Sequence, residues 1–504
     1  MAAPSPSHVV VFPYMAQGHT IPLLDIAKAF ANRGLKVTII TTPSNAPFIS
    51  SKTSNHPNIS SSIIPFPRAQ DLPEGCENTA DLPSMALLAP FVEATKQMKQ
   101  PFEGVLRDMI SDGCRPICVI SDFFLGWTLD SCRSFRIPRI VYHGMGVLSM
   151  AICKSVGLLA PSVKDSSDLD PIEFPNLNAP FTLLKSDIPE GLLHANPDDD
   201  FVRLSLEAGE ADINSWGVVV NSFEEIEGDH AGEFESLYVN QAKAYCVGPF
   251  LLYDRLGYDH VGTEEQSYSY IKWLDDQAES GGVIYVSFGT QSHFSEHQMD
   301  EIASGLEMAG HPFIWVVRSK EWVPPDGWNA RVGRRGLVVQ DWVDQRSILA
   351  HPATGGFLSH CGWNSVLESL SMGVPLLTWP ALSFSDQPLN AKFVAVGLGV
   401  GLMIPQRGVG GEKIVTVDRD VICDGVKELM GGEEGRKARE RAQALGRLAR
   451  HAVEKGGSSD LKLDELIEQL TIKKCETKLF AILIVEQYYI HYFHLILLNL
   501  NIMR

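Results

Sequence analysis

The chain has 504 residues, too many for one ordinary core, and its 45% apolar and 20% charged residues suit a soluble globular protein of two or three domains. With 42 basic against 61 acidic residues the formal charge is −19. That excludes nucleic acid or an anionic membrane surface as the main partner, because both demand a broad basic face, whereas a small anion demands only a local site. Nine cysteines, scattered and without a Cys-x-x-Cys pair, predict free thiols in a reducing compartment, here the cytoplasm.

The start, "MAAPSPSHVVVFPY", has no charged leader and reads as a first strand rather than a signal peptide. After "MAQGHTIP" comes "LLDIAKAFANRG", apolar at helical spacing and stopped at Gly34. "LKVTIITT", "PICVISDFF", "RIVYHGM" and "WGVVVNSF" follow as buried strands. Alternating strands and helices predict an α/β lobe with a doubly wound parallel sheet over residues 1–250. The pattern lapses in "VGPFLLYDRLGYDHVGTEEQ", read as a linker over 251–272. It then restarts with "GGVIYVSFG", "SEHQMDEIASGLEMAG" and "PFIWVVR" and continues through "LVVQD", "GGFLSH" and "VPLLTW". A second Rossmann-like lobe is therefore expected over 273–470, facing the first across a cleft. In "GRKARERAQALGRLARHAVEKGG" Ala438, Ala442, Leu445, Ala449 and Ala452 recur at three- and four-residue spacing, which reads as an amphipathic helix with a solvated basic face. The apolar tail over 471–504 is broken by Glu486, Gln487, His491 and His494 and has the composition of translated non-coding sequence. A membrane anchor is the least favoured interpretation, and a stop after Leu470 is expected to leave activity intact.

One stretch, "GGFLSHCGWNSVLESL", crosses from strand to helix. His351, His360 and Cys361 are candidate metal ligands, but a structural zinc site wants four ligands at repeated short spacings. A cradle for an anion fits better. A helix start offers unpaired N–H groups and partial positive charge, Gly362 admits close approach, and His360, Asn364 and Ser365 add polar groups. An ordinary capped helix would look much the same.

The flanks separate these alternatives. "WVDQRSILAHPATGGFLSHCGWNSVLESLSMGVPLLTWPALSFSDQ" resembles the donor-binding signature of plant uridine-diphosphate-sugar glycosyltransferases, and "FPYMAQGHTIPLLDIA", "VGPF", "WLDDQ", "YVSFGT" and "GGSS" agree with it. The likeness runs to about Leu470. It implies the GT-B fold and a hexosyltransferase of plant secondary metabolism, acting without metal or other cofactor. The UDP-sugar would be a co-substrate, a small lipophilic metabolite the hydroxyl acceptor, and the protein a monomer. By the same resemblance Trp342 would stack on uracil beside the backbone of Val343, with Gln345 and Glu368 on the ribose. His360, Gly362, Trp363 (through its backbone), Asn364 and Ser365 would hold the diphosphate, near Ser287 and Thr290. Asp386 and Gln387 would read the sugar, and Gln387 implies glucose. "WVDQ" departs from the commoner "WAPQ", and Asp386-Gln387 stands later than the family spacing.

In the first lobe the resemblance makes His19 the general base and Asp122 its orienting carboxylate. Chemically, a neutral imidazole takes a hydroxyl proton and the carboxylate steadies the cation that forms. A single displacement would invert an α-linked donor to a β-glycoside. Two rivals share the fold class. A nicotinamide oxidoreductase needs G-x-G-x-x-G, and "GLGVGL" at Gly397 to Leu402 lacks the third glycine. A non-catalytic sugar-nucleotide binder would be expected to lose His19 or Asp122, and both are present.

Overall fold

The computed structural model describes residues 6–472 except 164–166, 175–176, 194–195, 197, 255–263, 278–280, 291, 293, 320, 382–384 and 406–415. The tail from 473 onward lies outside the described residues.

The first lobe carries β1 (His8–Phe12), β2 (Lys36–Thr41), β3 (Ile59–Ile63), β4 (Cys118–Asp122), β5 (Arg139–Tyr142), a short antiparallel hairpin of β6 (Pro171–Ile172) and β7 (Leu183–Leu184), then β8 (Gly217–Val220) and β9 (Lys243–Cys246). Seven of them form one sheet in the order β3-β2-β1-β4-β5-β8-β9, every pairing parallel. Helices cover both faces of such a sheet, so its central strands are apolar along their length; β1, "HVVVF", is buried at every position. The second lobe repeats the plan with β10 (Val283–Ser287), β11 (Phe313–Val316), β12 (Gly336–Val339), β13 (Thr354–Ser359), β14 (Leu376–Thr378) and β15 (Gly401–Met403). Their order is β12-β11-β10-β13-β14-β15, again all parallel. The fold is the expected pair of Rossmann-like doubly wound lobes.

This topology positions the site. Strand order reverses direction at β1/β4 in one sheet and at β10/β13 in the other, and the loops at the carboxyl ends of such strand pairs diverge to leave a crevice. His19 follows β1, Asp122 ends β4, Ser287 ends β10 and His360 follows β13.

Two boundaries differ from expectation. The last nine residues of the expected linker begin a helix, Glu264–Asp275, whose Tyr270 and Leu274 join the second lobe's core. The last described helix does not stay with the second lobe either. Residues 458–472 form a helix whose Leu463, Leu466 and Leu470 pack with Val9, Leu23 and Phe30 of the first lobe. Arg33 ties it down through Asp460 and Asp464, and Ser459 Oγ donates to the Gly248 carbonyl. The physical reason is that this helix's apolar stripe finds its complement on the first lobe. Leu466→Ala is therefore expected to cost about 2–5 kcal/mol in chemical denaturation, because a fully buried leucine is truncated at a lobe–helix seam. The basic helix, Glu433–Val453, buries Ala438, Ala442, Ala449 and Ala452 as its spacing predicts, with Leu445 half-buried beside them.

Candidate active site

The two lobes enclose a cleft of about 1710 Å³. On its first-lobe side the helix Gln17–Asn32 begins directly after the β1 loop, which puts His19 in the first helical turn rather than in a free turn. His19 Nδ1 lies 2.7 Å from Asp122 Oδ2. Asp122 is fully buried; its other oxygen accepts from the Phe124 N–H at 3.0 Å, so the carboxylate is held at both ends. Tyr14 and Phe124 flank the imidazole with ring centres at 5.6 and 5.7 Å. Burial alone would lower the His19 pKa. The charge and hydrogen bond of Asp122, joined by the charge of Asp386 across the cleft, outweigh it and raise the pKa above 6.5.

On the opposite wall the helix Trp363–Met372 starts at Gly362, among residues that line the cleft, with no side-chain cap to take up its first amides. Cys361, at φ 65°, makes the left-handed corner between β13 and that helix. It is buried, and its N–H donates to Ser359 Oγ. The imidazole of His360 fills a slot between two glycines: a Cβ on Gly289 or on Gly362 would stand 2.7 Å from its Nε2. Gly289 also has φ 78°, where side chains are disfavoured. Burial pushes the His360 pKa down to about 4, so the ring is neutral at pH 7 and carries one N–H.

Ser287, Thr290, Trp342, Val343, Gln345, His360, Gly362, Trp363, Asn364, Ser365, Glu368, Asp386 and Gln387 all line this cleft together with His19. Asp122 stands behind His19. Trp342 Nε1 donates to Gln17 Oε1 at 3.1 Å, and Asn364 Nδ2 donates to the Gly18 carbonyl at 2.6 Å, so both reach across to the other lobe. The Trp363 side chain is turned away from the helix start, buried with Nε1 donating to the Asn221 carbonyl at 2.7 Å. Gln345 Nε2 donates to Ser365 Oγ at 2.9 Å and Glu368 Oε2 at 2.7 Å. In "WVDQ" Asp344 serves as helix cap, accepting from the Ser347 N–H at 3.3 Å and from its hydroxyl at 2.6 Å. Asp386 stands at the start of the helix Gln387–Lys392, and burial raises its pKa to about 6. Gln387 Oε1 accepts from the Ala381 N–H at 3.0 Å.

Sequence reasoning missed the supports of these groups. Asn390 Nδ2 donates both to Asp386 Oδ2 at 2.8 Å and to the Cys361 carbonyl at 3.0 Å, and its Oδ1 accepts from Ser149 Oγ of the first lobe at 2.7 Å. Arg139, fully buried, donates to Ser121 Oγ, Thr128 Oγ1, Ser215 Oγ and the Asp122 carbonyl. Arg346 joins Glu368 to Asp25 of the first lobe. One signal was available: Asp25 and Lys28 interrupt the apolar run "LLDIAKAF", and charges on a buried face need partners. Lys28 finds Asp254 at 2.6 Å.

Among the described residues no group of three or more His, Cys, Asp or Glu is placed to hold a metal, and His351, a candidate ligand, instead lies 3.2 Å from Asp275. No described helix is long and apolar enough to cross a membrane.

Residues 264–426 match the family model for UDP-glucoronosyl and UDP-glucosyl transferase. The chain is 37% identical over 483 residues to UDP-glucose flavonoid 3-O-glucosyltransferase 7 of Fragaria ananassa, covering 92% of this chain and 96% of that one. It is 37% identical to scopoletin glucosyltransferase of Nicotiana tabacum, covering 92% and 98%. Among solved structures, Glycyrrhiza uralensis UGT73P12 complexed with glycyrrhetinic acid 3-O-monoglucuronide superposes with a TM-score of 0.83 at 29% identity, covering 96% of this chain and 100% of that one. Phytolacca americana UGT2, complexed with UDP-2fluoro-glucose and pterostilbene, superposes at 0.75 with 28% identity, covering 92% and 99%.

Proposed function

The chain belongs to the plant UDP-glycosyltransferases, and we propose that it moves glucose from UDP-glucose to a hydroxyl of a small lipophilic plant metabolite, with His19 as the general base and inversion at the anomeric carbon. The observation that carries this proposal is the His19–Asp122 pair, 2.7 Å apart at the carboxyl edge of one sheet and facing an uncapped helix start on the other.

The chemistry follows from the two walls. On the first lobe, Asp122 accepts a hydrogen bond from His19 Nδ1–H, leaving Nε2 as the free base for an acceptor hydroxyl. As the hydroxyl attacks, the imidazole becomes a cation and the buried carboxylate stabilises it. On the second lobe the departing diphosphate gathers charge, and the amides after Gly362 with neutral His360 would receive it. Trp342, Val343, Gln345 and Glu368 would hold uridine; Ser287, Thr290, Asn364 and Ser365 the phosphates; Asp386 and Gln387 the sugar hydroxyls. Phe123, Phe124, Met145, Met150, Leu192 and Phe201 line the first-lobe end of the cleft and suit an apolar acceptor. The flavonoid and scopoletin enzymes among the relatives support an acceptor of that kind. A cytoplasmic monomer remains the working proposal for the protein's state.

The test is a screen of phenolic and alcoholic acceptors with UDP-glucose, UDP-galactose and UDP-glucuronic acid in competition, read by mass spectrometry. Addition of a hexose from UDP-glucose is expected. A clear preference for galactose or glucuronic acid would contradict the role given to Gln387, and no transfer to any acceptor would favour a plain sugar-nucleotide binder.

The raised His19 pKa makes a second test. The base works only when neutral, so kcat/KM should rise with pH through a limb above 6.5. In Asp122→Asn the charge and strong hydrogen bond are gone while burial, which lowers the pKa, remains. The limb should then move to lower pH even as the rate falls. The same pairing stabilises the fold at pH values below the unfolded histidine's pKa, and that contribution fades as pH rises through the raised folded value. A limb that stays in place in Asp122→Asn would assign the titration to another group.

A further inference from the structure

One guanidinium joins the two walls of the cleft. Arg346 Nε donates to Glu368 Oε1 at 2.9 Å, while Nη1 and Nη2 donate to Asp25 Oδ1 and Oδ2 at 3.2 and 2.6 Å. Asp25 stands on the helix that begins beside His19, and Glu368 on the helix that begins at the proposed phosphate cradle. Both carboxylates are buried and all three residues line the cleft. A planar fork with five donors can serve two carboxylates at once, and its geometry decides which oxygen each donor reaches. Here one N–H of each terminal nitrogen goes to Asp25, and in this pose Nε is the guanidinium nitrogen that bonds Glu368. The other Glu368 oxygen, Oε2, accepts from Gln345 at 2.7 Å and keeps a lone pair to spare, on a residue that lines the cleft.

Resting on the proposed ribose role of Glu368, we propose that Arg346 is a positioning residue hooked to the first lobe by Asp25, so that a docked first lobe keeps the Glu368 carboxylate open to the ribose diol. Unhooked from Asp25, the guanidinium is free to swing and close on both oxygens of Glu368 in the bidentate geometry that arginine and carboxylate prefer. The ribose would then compete with an internal ion pair. Nucleotide affinity on one lobe thereby depends on a carboxylate of the other, through a side chain that need not touch the nucleotide.

The experiment is calorimetric titration of UDP and of 2′,3′-dideoxy-UDP into the full chain and into Asp25→Asn, Arg346→Gln, Arg346→Lys and the double variant Asp25→Asn/Arg346→Gln. Asp25→Asn keeps the shape of the side chain and removes its charge, and is expected to weaken UDP about five- to tenfold. The dideoxy analogue lacks the diol and should lose about twofold at most. Donor KM should rise with the UDP Kd while kcat at saturating donor holds within about twofold. Arg346→Lys, which keeps the charge without the fork, should also weaken UDP. The double variant should bind UDP no more weakly than Arg346→Gln alone, since the two residues act through one contact. Unchanged UDP binding in Asp25→Asn overturns the proposal, as does an equal loss for UDP and its dideoxy analogue, which marks plain structural damage. A wild-type chain that binds both ligands equally well overturns the ribose role of Glu368 itself, whatever Asp25 does.

Discussion

His19→Ala is expected to lower turnover on a phenolic or alcoholic acceptor by about 10²–10⁴-fold, the range a positioned general base contributes. UDP affinity should hardly change, because the proposed nucleotide contacts belong to the second lobe and His19 hangs on the first. Asp122→Asn should be slow for a related reason: shape is kept, but the charge that steadies the imidazolium and selects the Nδ1–H tautomer is lost. Initial rates beside calorimetric titration of UDP separate chemistry from binding. Full activity in a folded His19→Ala enzyme would remove the mechanism. The acceptor must be weakly acidic for this to count, since a strongly acidic one can lose its proton unaided.

Gly362→Val should produce the opposite profile. Gly362 has φ −57° and ψ 137°, which a β-branched residue adopts without strain, so the backbone can fold. The new Cβ would stand 2.7 Å from His360 Nε2, and the imidazole is already confined by Gly289 on its other side. The ring must leave its slot, and the valine methyls would stand where a diphosphate has to approach the helix amides. UDP binding should weaken by roughly two orders of magnitude as charge-assisted contacts are lost together. Thermal stability should change little by comparison. Calorimetry on the purified variant gives the answer, and wild-type UDP affinity would show that the diphosphate does not lie over this helix start.

Much of this arrangement is legible along the chain. Buried parallel strands are short apolar runs, so "HVVVF", "CVISD", "VIYVS" and "TGGFLS" announce themselves, and with helical runs between them they imply two doubly wound sheets. The crevice at the strand ends then follows from connectivity. His19 after the first strand and Gly362 at a strand-to-helix corner are visible for the same reason, because each owes its place to immediate neighbours.

What the chain could not disclose are the pairs that meet only through space. Asn364 with Gly18, Trp342 with Gln17, and Arg346 with Asp25 are each separated by most of the chain. No periodicity or spacing links them, because a contact across a cleft depends on how two lobes dock. The inward face of Trp363 and the triple role of Asn390 are of the same kind. So is the return of residues 458–472 to the first lobe: an amphipathic helix declares that it has an apolar stripe, but which surface covers that stripe is settled only by the shapes that remain exposed once both sheets have formed.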